Sequence, residues 1–438
     1  MSDLKQKLTF VDLKVTDTFG SGPFLSEDGS KAYVTFAIDV IPNRVNVAAQ
    51  WYVNNNGTLQ VVDQVLEDND PFNPIGVDNG EASKDFEYFS LLDEGSPDAI
   101  TGQAPARLRI YNQFHSLIAT RIFGAGIGDP FPYWGDFSFN GGAFSANNKY
   151  VAVSYVFSPP GSLIQNSVLR IIDITQPGLP DAFTPLAYQG NTGTNPRFVT
   201  LKRKCKKNTF VFLEVTGGIF NPDINAPASE PPFLLRVLKL PNSNAPLEQV
   251  LEKNFAKTFT TSFLQKSKEK VVVAIAVSKN VKPGELTEYI DRTDIIADND
   301  YFRSLGIFEF DGHDLDLITK RFFRLGPSAI WHPSGNFLFS RVNPANASFV
   351  GPEDVVFRTN GPSTGFWLKL DCDKCNKLAI KNADADLIPV QIRSAASISG
   401  NGKWLLIASS DTPFPTLDCG AAGQILFNLV LYRIEIDC

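Results

Sequence analysis

The chain is short of the residues from which catalytic and metal sites are most often built. It contains three histidines, His115, His313 and His332, and a single methionine in 438 residues. All three histidines fall in or beside expected hairpin turns. A mononuclear His-rich metal site is therefore not expected, and nothing in the sequence places a histidine near the channel for a Ser-His-Asp arrangement. No His-Glu-x-x-His and no phosphate-cradling Gly-rich loop occurs. No apolar run approaches the ~18 residues of a membrane-spanning helix. The opening residues MSDLKQKLTFVDLKV lack the apolar stretch and small-residue cleavage site of a secretion signal. A soluble, cytoplasmic protein with no membrane partner is the expectation.

Cysteines are also few. Cys205, Cys372, Cys375, Cys419 and Cys438 make five, an odd number that fits a reducing compartment better than a disulfide framework. Positive charge is in deficit, with a formal net charge of −7. The one dense basic run is Leu201-Lys202-Arg203-Lys204-Cys205-Lys206-Lys207, set between apolar stretches. It reads as a single charged hairpin turn, so no nucleic-acid partner is expected.

What the chain does have is aromatic residues and turns. There are 35 Phe, 29 Pro and 32 Gly, and 43% of the residues are hydrophobic. Aromatic side chains suit a pleated, half-buried surface, and scattered Gly and Pro punctuate strands. A repeat runs through this background. Its first half is a short apolar strand, a tight polar turn and a strongly apolar strand: PFLSEDGSKAYVTF (23–36), GAFSANNKYVAVSY (142–155), SAIWHPSGNFLFSR (328–341) and AASISGNGKWLLIA (395–408). Degenerate copies with Lys-rich tips lie at 197–214 and 259–277. A third strand follows as ARLRIYNQ, SVLRIIDIT, FLLRVLKLP, SLGIFEFDG, GFWLKLDCD and LVLYRIEID, and weaker fourth strands follow most of these.

Seven units begin near residues 20, 72, 132, 195, 257, 326 and 389. The expected fold is an all-β, seven-bladed β-propeller of four-stranded blades forming a single domain over 1–438. Two β-sandwiches in tandem are the alternative, disfavoured because no linker interrupts the similar units. The last unit ends after its third strand, while a spare strand at residues 7–15 precedes the first. Placing that strand on the last blade closes the ring and covers an open edge.

Long insertions at about 94–105, 157–166, 216–232, 279–303, 342–364 and 410–428 all join second to third strands. They belong to one face, which is the expected binding surface around the central channel. In the longest, Glu285, Glu288, Asp291 and Asp294 recur every three residues among apolar ones, which predicts a short acidic amphipathic helix and a ligand-binding patch. Cys372-Asp373-Lys374-Cys375, with Cys438 at the equivalent strand end of the next unit, is a weak thiolate metal candidate. Incidental turn cysteines are the plainer reading, and no metal or cofactor is expected. Acidic turns such as Asp311-Gly312-His313-Asp314-Leu315-Asp316 lack full calcium-loop spacing and read as Asx turns.

Residues 326–339, GPSAIWHPSGNFLF, resemble a blade of the lactonase-type (YVTN-like) seven-bladed propellers, which open on Gly-Pro followed by His-Pro-Asn-Gly-Lys and an aromatic strand. Residues 146–153 and 400–406 are similar to the same signature. The resemblance implies the propeller architecture, and His332 as a turn residue. Arg and His follow the Gly-Pro of the bacterial lactonases; Ser328 and Ala329 stand there in this chain. The expected function is a propeller scaffold binding a protein or small ligand through the long-loop face. The alternative is a lactonase- or cyclase-type enzyme using Arg and carboxylates at the channel mouth, and a structural role in an assembly is a third possibility.

Overall fold

The structure, a computed structural model, describes residues 6–16, 22–36, 47–66, 74–95, 105–123, 130–131, 133–138, 143–157, 166–189, 196–203, 206–216, 233–241, 245–255, 259–265, 267–278, 303–323, 329–334, 337–340, 357–358, 364–369, 394–410 and 427–436. They form β-strands joined by turns. Strand β1 is Gln6–Thr16. Blade one is β2 (Phe24–Leu25), β3 (Lys31–Thr35), β4 (Val47–Asn55) and β5 (Thr58–Leu66). Blade two is β6 (Pro74–Ala82), β7 (Tyr88–Gly95), β8 (Ala106–Asn112) and β9 (Leu117–Phe123). Blade three is β10 (Tyr133–Ser138), β11 (Tyr150–Phe157), β12 (Asn166–Asp173) and β13 (Leu186–Gln189). Blade four is β14 (Arg197–Arg203), β15 (Lys206–Thr216), β16 (Phe233–Lys239) and β17 (Glu248–Phe255). Blade five is β18 (Phe259–Gln265), β19 (Val271–Ser278), β20 (Arg303–Phe310) and β21 (Leu315–Phe323). Then come β22 (Ala329–Trp331), β23 (Phe337–Ser340), β24 (Phe357–Arg358) and β25 (Thr364–Lys369). The closing blade holds β26 (Ser394–Ile398), β27 (Trp404–Ser410) and β28 (Phe427–Ile436).

The protein is an all-β propeller of four-stranded, antiparallel blades. The expectation of seven such blades is corrected to six. Blades one to five run in strict sequence order, and the sixth regular blade is β1-β28-β27-β26. The stretch between blade five and β26 departs from the pattern, with the order β22-β23-β25-β24. Phe357 and Arg358, from the connection expected to be loop, pair with Gly365 and Thr364. The outer position is thus taken by a two-residue strand that precedes β25. The segment 377–383, expected as the fourth strand there, lies outside the described residues.

The apolar runs follow from burial on both faces of a blade. In β3, Ala32 and Val34 pack against Leu406, Ala408, Leu429 and Leu431 of the closing blade, while Tyr33 packs against Phe89 and Leu91 of blade two. In β15, Phe210 and Phe212 face blade five, whereas Val211 and Leu213 face blade three. Successive side chains point to opposite faces, so a strand wedged between two neighbours must be apolar throughout. First strands of neighbouring units lie side by side, β2 by β26, β6 by β10, β18 by β22 and β22 by β26, which makes them the inner wall. The closing blade is completed by β1, antiparallel to β28 from Gln6↔Ile436 to Thr16↔Phe427, with one irregularity between Phe10 and Asp12. At the rim of blades one and two, Val61, Val62, Leu117 and Ile118 are exposed. No helix among the described residues is long and apolar enough to cross a membrane.

Candidate functional site

The turns between first and second strands share one hydrogen-bonding scheme. Ser26, Ser83, Ser145 and Ser399 each end a first strand. Each hydroxyl donates to the side-chain oxygen of the residue two ahead (Asp28, Asp85, Asn147, Asn401) at 2.7–2.8 Å. Each accepts the N–H of the residue five ahead at 2.9–3.0 Å. The residue three ahead takes positive φ: Gly29 (74°), Phe86 (60°), Asn148 (53°) and Gly402 (70°). Gly and Asn tolerate that conformation cheaply. Phe86 is the departure; its ring is buried edge-on to Phe89, which offsets the backbone cost.

Adjacent turns are stitched together. Asn401 N–H donates to Glu27 O at 2.7 Å, and Asn401 Nδ2 donates to Asp28 O at 2.9 Å, joining the closing blade to blade one. Asn148 Nδ2 donates to Asp85 Oδ2 at 2.6 Å, joining blades three and two. Lys202 N–H donates to the Lys268 carbonyl, joining blades four and five.

His332 takes the place of the serine in the turn before β23. Ser334 N–H donates to its Nδ1 at 3.2 Å, so Nδ1 accepts, and Nε2–H donates to Gly402 O at 3.1 Å. The ring is a buried strut between turns, not a free base. Burial lowers its pKa below the ordinary 6.5, against the opposing Gly402 contact. The folded state therefore prefers neutral imidazole, and the unfolded chain binds the proton more readily as pH falls below about 6.5. Stability contributed here is complete above that pH and lost below it. His115, stacked 4.6 Å from Trp51 and also lowered by burial, adds a term of the same sign. Thermal melts from pH 7.5 to 5 are expected to show a falling Tm, with a shallower fall in His332→Gln. An identical slope in both proteins would refute the assignment.

Buried charge lines the inner strands. Glu81 on β6 accepts the Ala143 N–H of blade three through both carboxylate oxygens, at 2.9 and 3.0 Å. Burial pulls the Arg197 guanidinium below its ordinary pKa, opposed by the charges of Glu214 and Glu81. Arg197 also sits 4.6 Å from the centre of the Phe263 ring. One arginine of blade four thus senses blades two and five, which places it at the inner wall.

Above this wall, on the tight-turn face, a cavity of about 1030 Å³ opens. Five blades contribute to it. Glu27 comes from blade one, Lys84 and Asp85 from blade two, and Phe144, Ser145 and Asn148 from blade three. Phe198, Thr200, Lys202 and Lys207 come from blade four, and Gln265, Ser267 and Lys268 from blade five. A space reached by so many turns of a ring lies over its centre. Four lysines and two carboxylates line it, with Lys202, Lys207 and Lys268 gathered on the wall of blades four and five. A second cavity of about 470 Å³, between Lys206, Lys207, Asn208, Lys239 and His313, adjoins it at Lys207.

The residues singled out from the sequence fare differently. Glu285, Glu288, Asp291, Asp294, Cys205, Cys372, Cys375, Cys419 and Cys438 lie outside the described residues, as do nearly all of the long connections. Asp311 forms an Asx turn, its Oδ1 accepting the N–H groups of His313 and Asp314 at 3.0 and 3.2 Å. Among the described residues no group of three His, Cys, Asp or Glu is placed to hold a metal. Gly361-Pro362-Ser363-Thr364-Gly365 has the Gly-x-Ser-x-Gly spacing of a hydrolase nucleophile elbow, a motif that sequence reasoning wrongly took to be absent. It leads into strand β25, where Thr364 pairs with Arg358, whereas the elbow leads from a strand into a helix. The lysines around the cavity were also missed. Their signal was that the two Lys-rich turns belong to consecutive units and must therefore be neighbours.

No family model matches this chain, and no curated protein matches it in sequence. Solved propeller structures resemble it at low identity. An oligogalacturonate lyase from Vibrio parahaemolyticus has 10% identity and a TM-score of 0.45, over 97% of this chain and 96% of that one. The Dos1 propeller has 9% identity and a TM-score of 0.42, over 97% and 95%. The β-propeller domain of the Trilobed protease from Pyrococcus furiosus, described as having an open velcro topology, has 10% identity and a TM-score of 0.39, over 76% and 77%. The lactonase-like blade motif is tied to no family.

Proposed function

We propose that this chain is a non-enzymatic binding propeller, one ring over 1–438 closed by β1. It receives its ligand over the tight-turn end of the central channel. The cavity shared by five blades carries this reading, because a concave site with a few convergent polar groups on a rigid scaffold is the usual form of a ligand pocket. A lactonase- or cyclase-type enzyme using Arg and carboxylates at the channel mouth is the second reading. The long-loop face, with Glu285, Glu288, Asp291 and Asp294, remains the proposed surface for a protein partner, since the long insertions of the sequence all join second to third strands.

Ala146, an exposed lining residue of the cavity, gives a test that is blind to ligand class. A thermal-shift panel of acidic, basic and neutral octapeptides, nucleotides and sugar acids is run on the full chain and on Ala146→Trp. At least one class is expected to raise the Tm of the wild type by about 2 °C or more through mass action, and not that of the variant. No shift with any class, or shifts that survive filling of the cavity, would overturn the reading.

A further inference from the structure

We infer that the tight-turn cavity and the groove beyond it take an extended acidic peptide segment that also carries apolar side chains, a reading that rests on the binding function proposed above. Charge is the first argument. The chain carries a net −7, yet Lys202, Lys206, Lys207 and Lys268 are exposed together at the tips of two neighbouring blades. The backbone bond from Lys202 to Lys268 holds two of them side by side. Among the described residues none of the four is ion-paired; Glu309 contacts Lys270, and Glu248 contacts Lys239 at 3.2 Å. Four lysines against the two carboxylates Glu27 and Asp85 leave the cavity with an excess of positive charge, which a bound anion relieves.

Shape is the second argument. The central cavity and the outer groove both touch Lys207, so they form one track from the channel mouth towards the rim. A compact anion would fill one end of this track, whereas an extended segment fills both. The walls argue for a peptide. Phe144 and Phe198 offer apolar contact, and Thr200 and Gln265 offer hydrogen bonds suited to a backbone. Among the described lining residues the cations are lysines, point charges that suit the carboxylates of an acidic peptide.

The probe is a fluorescein-labelled peptide of three Glu-Glu-Phe repeats, followed by anisotropy against the full chain at low salt. Comparators are the same peptide with Phe replaced by Ser, and a seven-nucleotide oligothymidylate of matched charge. The wild type is expected to bind the first peptide more tightly than either comparator, with affinity falling as salt rises. The triple variant Lys202→Glu/Lys207→Glu/Lys268→Glu is expected to bind about tenfold or more weakly, since electrostatic complementarity is reversed. If that variant does not fold, Lys202→Gln/Lys207→Gln/Lys268→Gln, which removes charge without reversing it, supplies the reading. Absence of binding, affinity unchanged in the lysine variants, or equal affinity for the oligothymidylate overturns the inference. Should that happen while a non-acidic ligand still shifts the wild type and not Ala146→Trp, the binding function stands and only its ligand class falls.

Discussion

A chain beginning at residue 17 is expected to melt at least about 5 °C below the full protein and to self-associate. Strand β1 is paired along the whole length of β28, from Gln6↔Ile436 to Thr16↔Phe427. Its removal strips one side of β28 of its ladder, and each net hydrogen bond contributes roughly 0.5–1.5 kcal/mol. Leu429, Leu431 and Tyr432 of β28 are fully buried, so loosening this strand also loosens the core shared with blade one. The bare edge becomes a template for another strand. Calorimetry and size-exclusion chromatography of the truncated chain give the measurement. Adding a synthetic peptide of residues 6–16 in trans should recover part of the lost Tm, because an open sheet edge accepts an added strand. An unchanged Tm on truncation would show that the ring does not depend on this closure.

Loss of the Asp93 carboxylate is the second large effect. Asp93 is fully buried on β7 and accepts from Arg107 Nε at 2.7 Å and from Arg109 Nη2 at 2.6 Å. Register explains the arrangement: Arg107 lies directly opposite Asp93 on β8, and Arg109, two residues on, shares its face. Both guanidinium groups are nearly inaccessible, so Asp93→Ala leaves two buried cations without this counter-charge. The expected loss is about 3–5 kcal/mol by chemical denaturation. Asp93→Asn should fall between Ala and wild type, because it keeps an acceptor and loses the charge. The triple change Asp93→Leu/Arg107→Leu/Arg109→Leu should cost less than Asp93→Ala alone, since no charge remains buried. A cost below ~1 kcal/mol for Asp93→Ala would mean that solvent or another carboxylate compensates the pair.

The four-strand period was legible because each blade is sandwiched between two others. That geometry forces apolar runs such as Val151-Ala152-Val153, and the tight turns between runs require residues that tolerate positive φ, such as Gly29 and Gly402. The unit after blade five was misread for a local reason. Its strands β22 and β23 are short, and the outer edge goes to Phe357 and Arg358, from a segment that spacing marked as loop. Ion pairs across strands were harder to see, because their partners are brought together by register and not by proximity in sequence. Leu108-Arg109-Ile110, Leu169-Arg170-Ile171 and Leu235-Arg236-Val237 look like ordinary strand alternation. Their acids, Asp93, Asp181 and Glu252, lie elsewhere in their blades. The candidate site was obscured by the same non-locality. Length drew attention to the insertions, while Lys202, Lys207 and Lys268 meet only because consecutive blades stand next to each other.

The serine-centred turns amount to an interchangeable part. Four of them reach the same geometry with different intervening residues, so Ser26-Glu27-Asp28-Gly29-Ser30-Lys31 is a cassette whose serine and aspartate side-chain bonds close within it, while its carbonyls accept from Asn401 and Asn54 outside it. Among the described residues, the Lys-rich turns of blades four and five do not repeat that scheme. A cassette grafted in their place would separate what the tip of a blade must do to fold from what it contributes to the face it occupies. The internal repeat thus supplies the control that an alignment of relatives would otherwise have to provide.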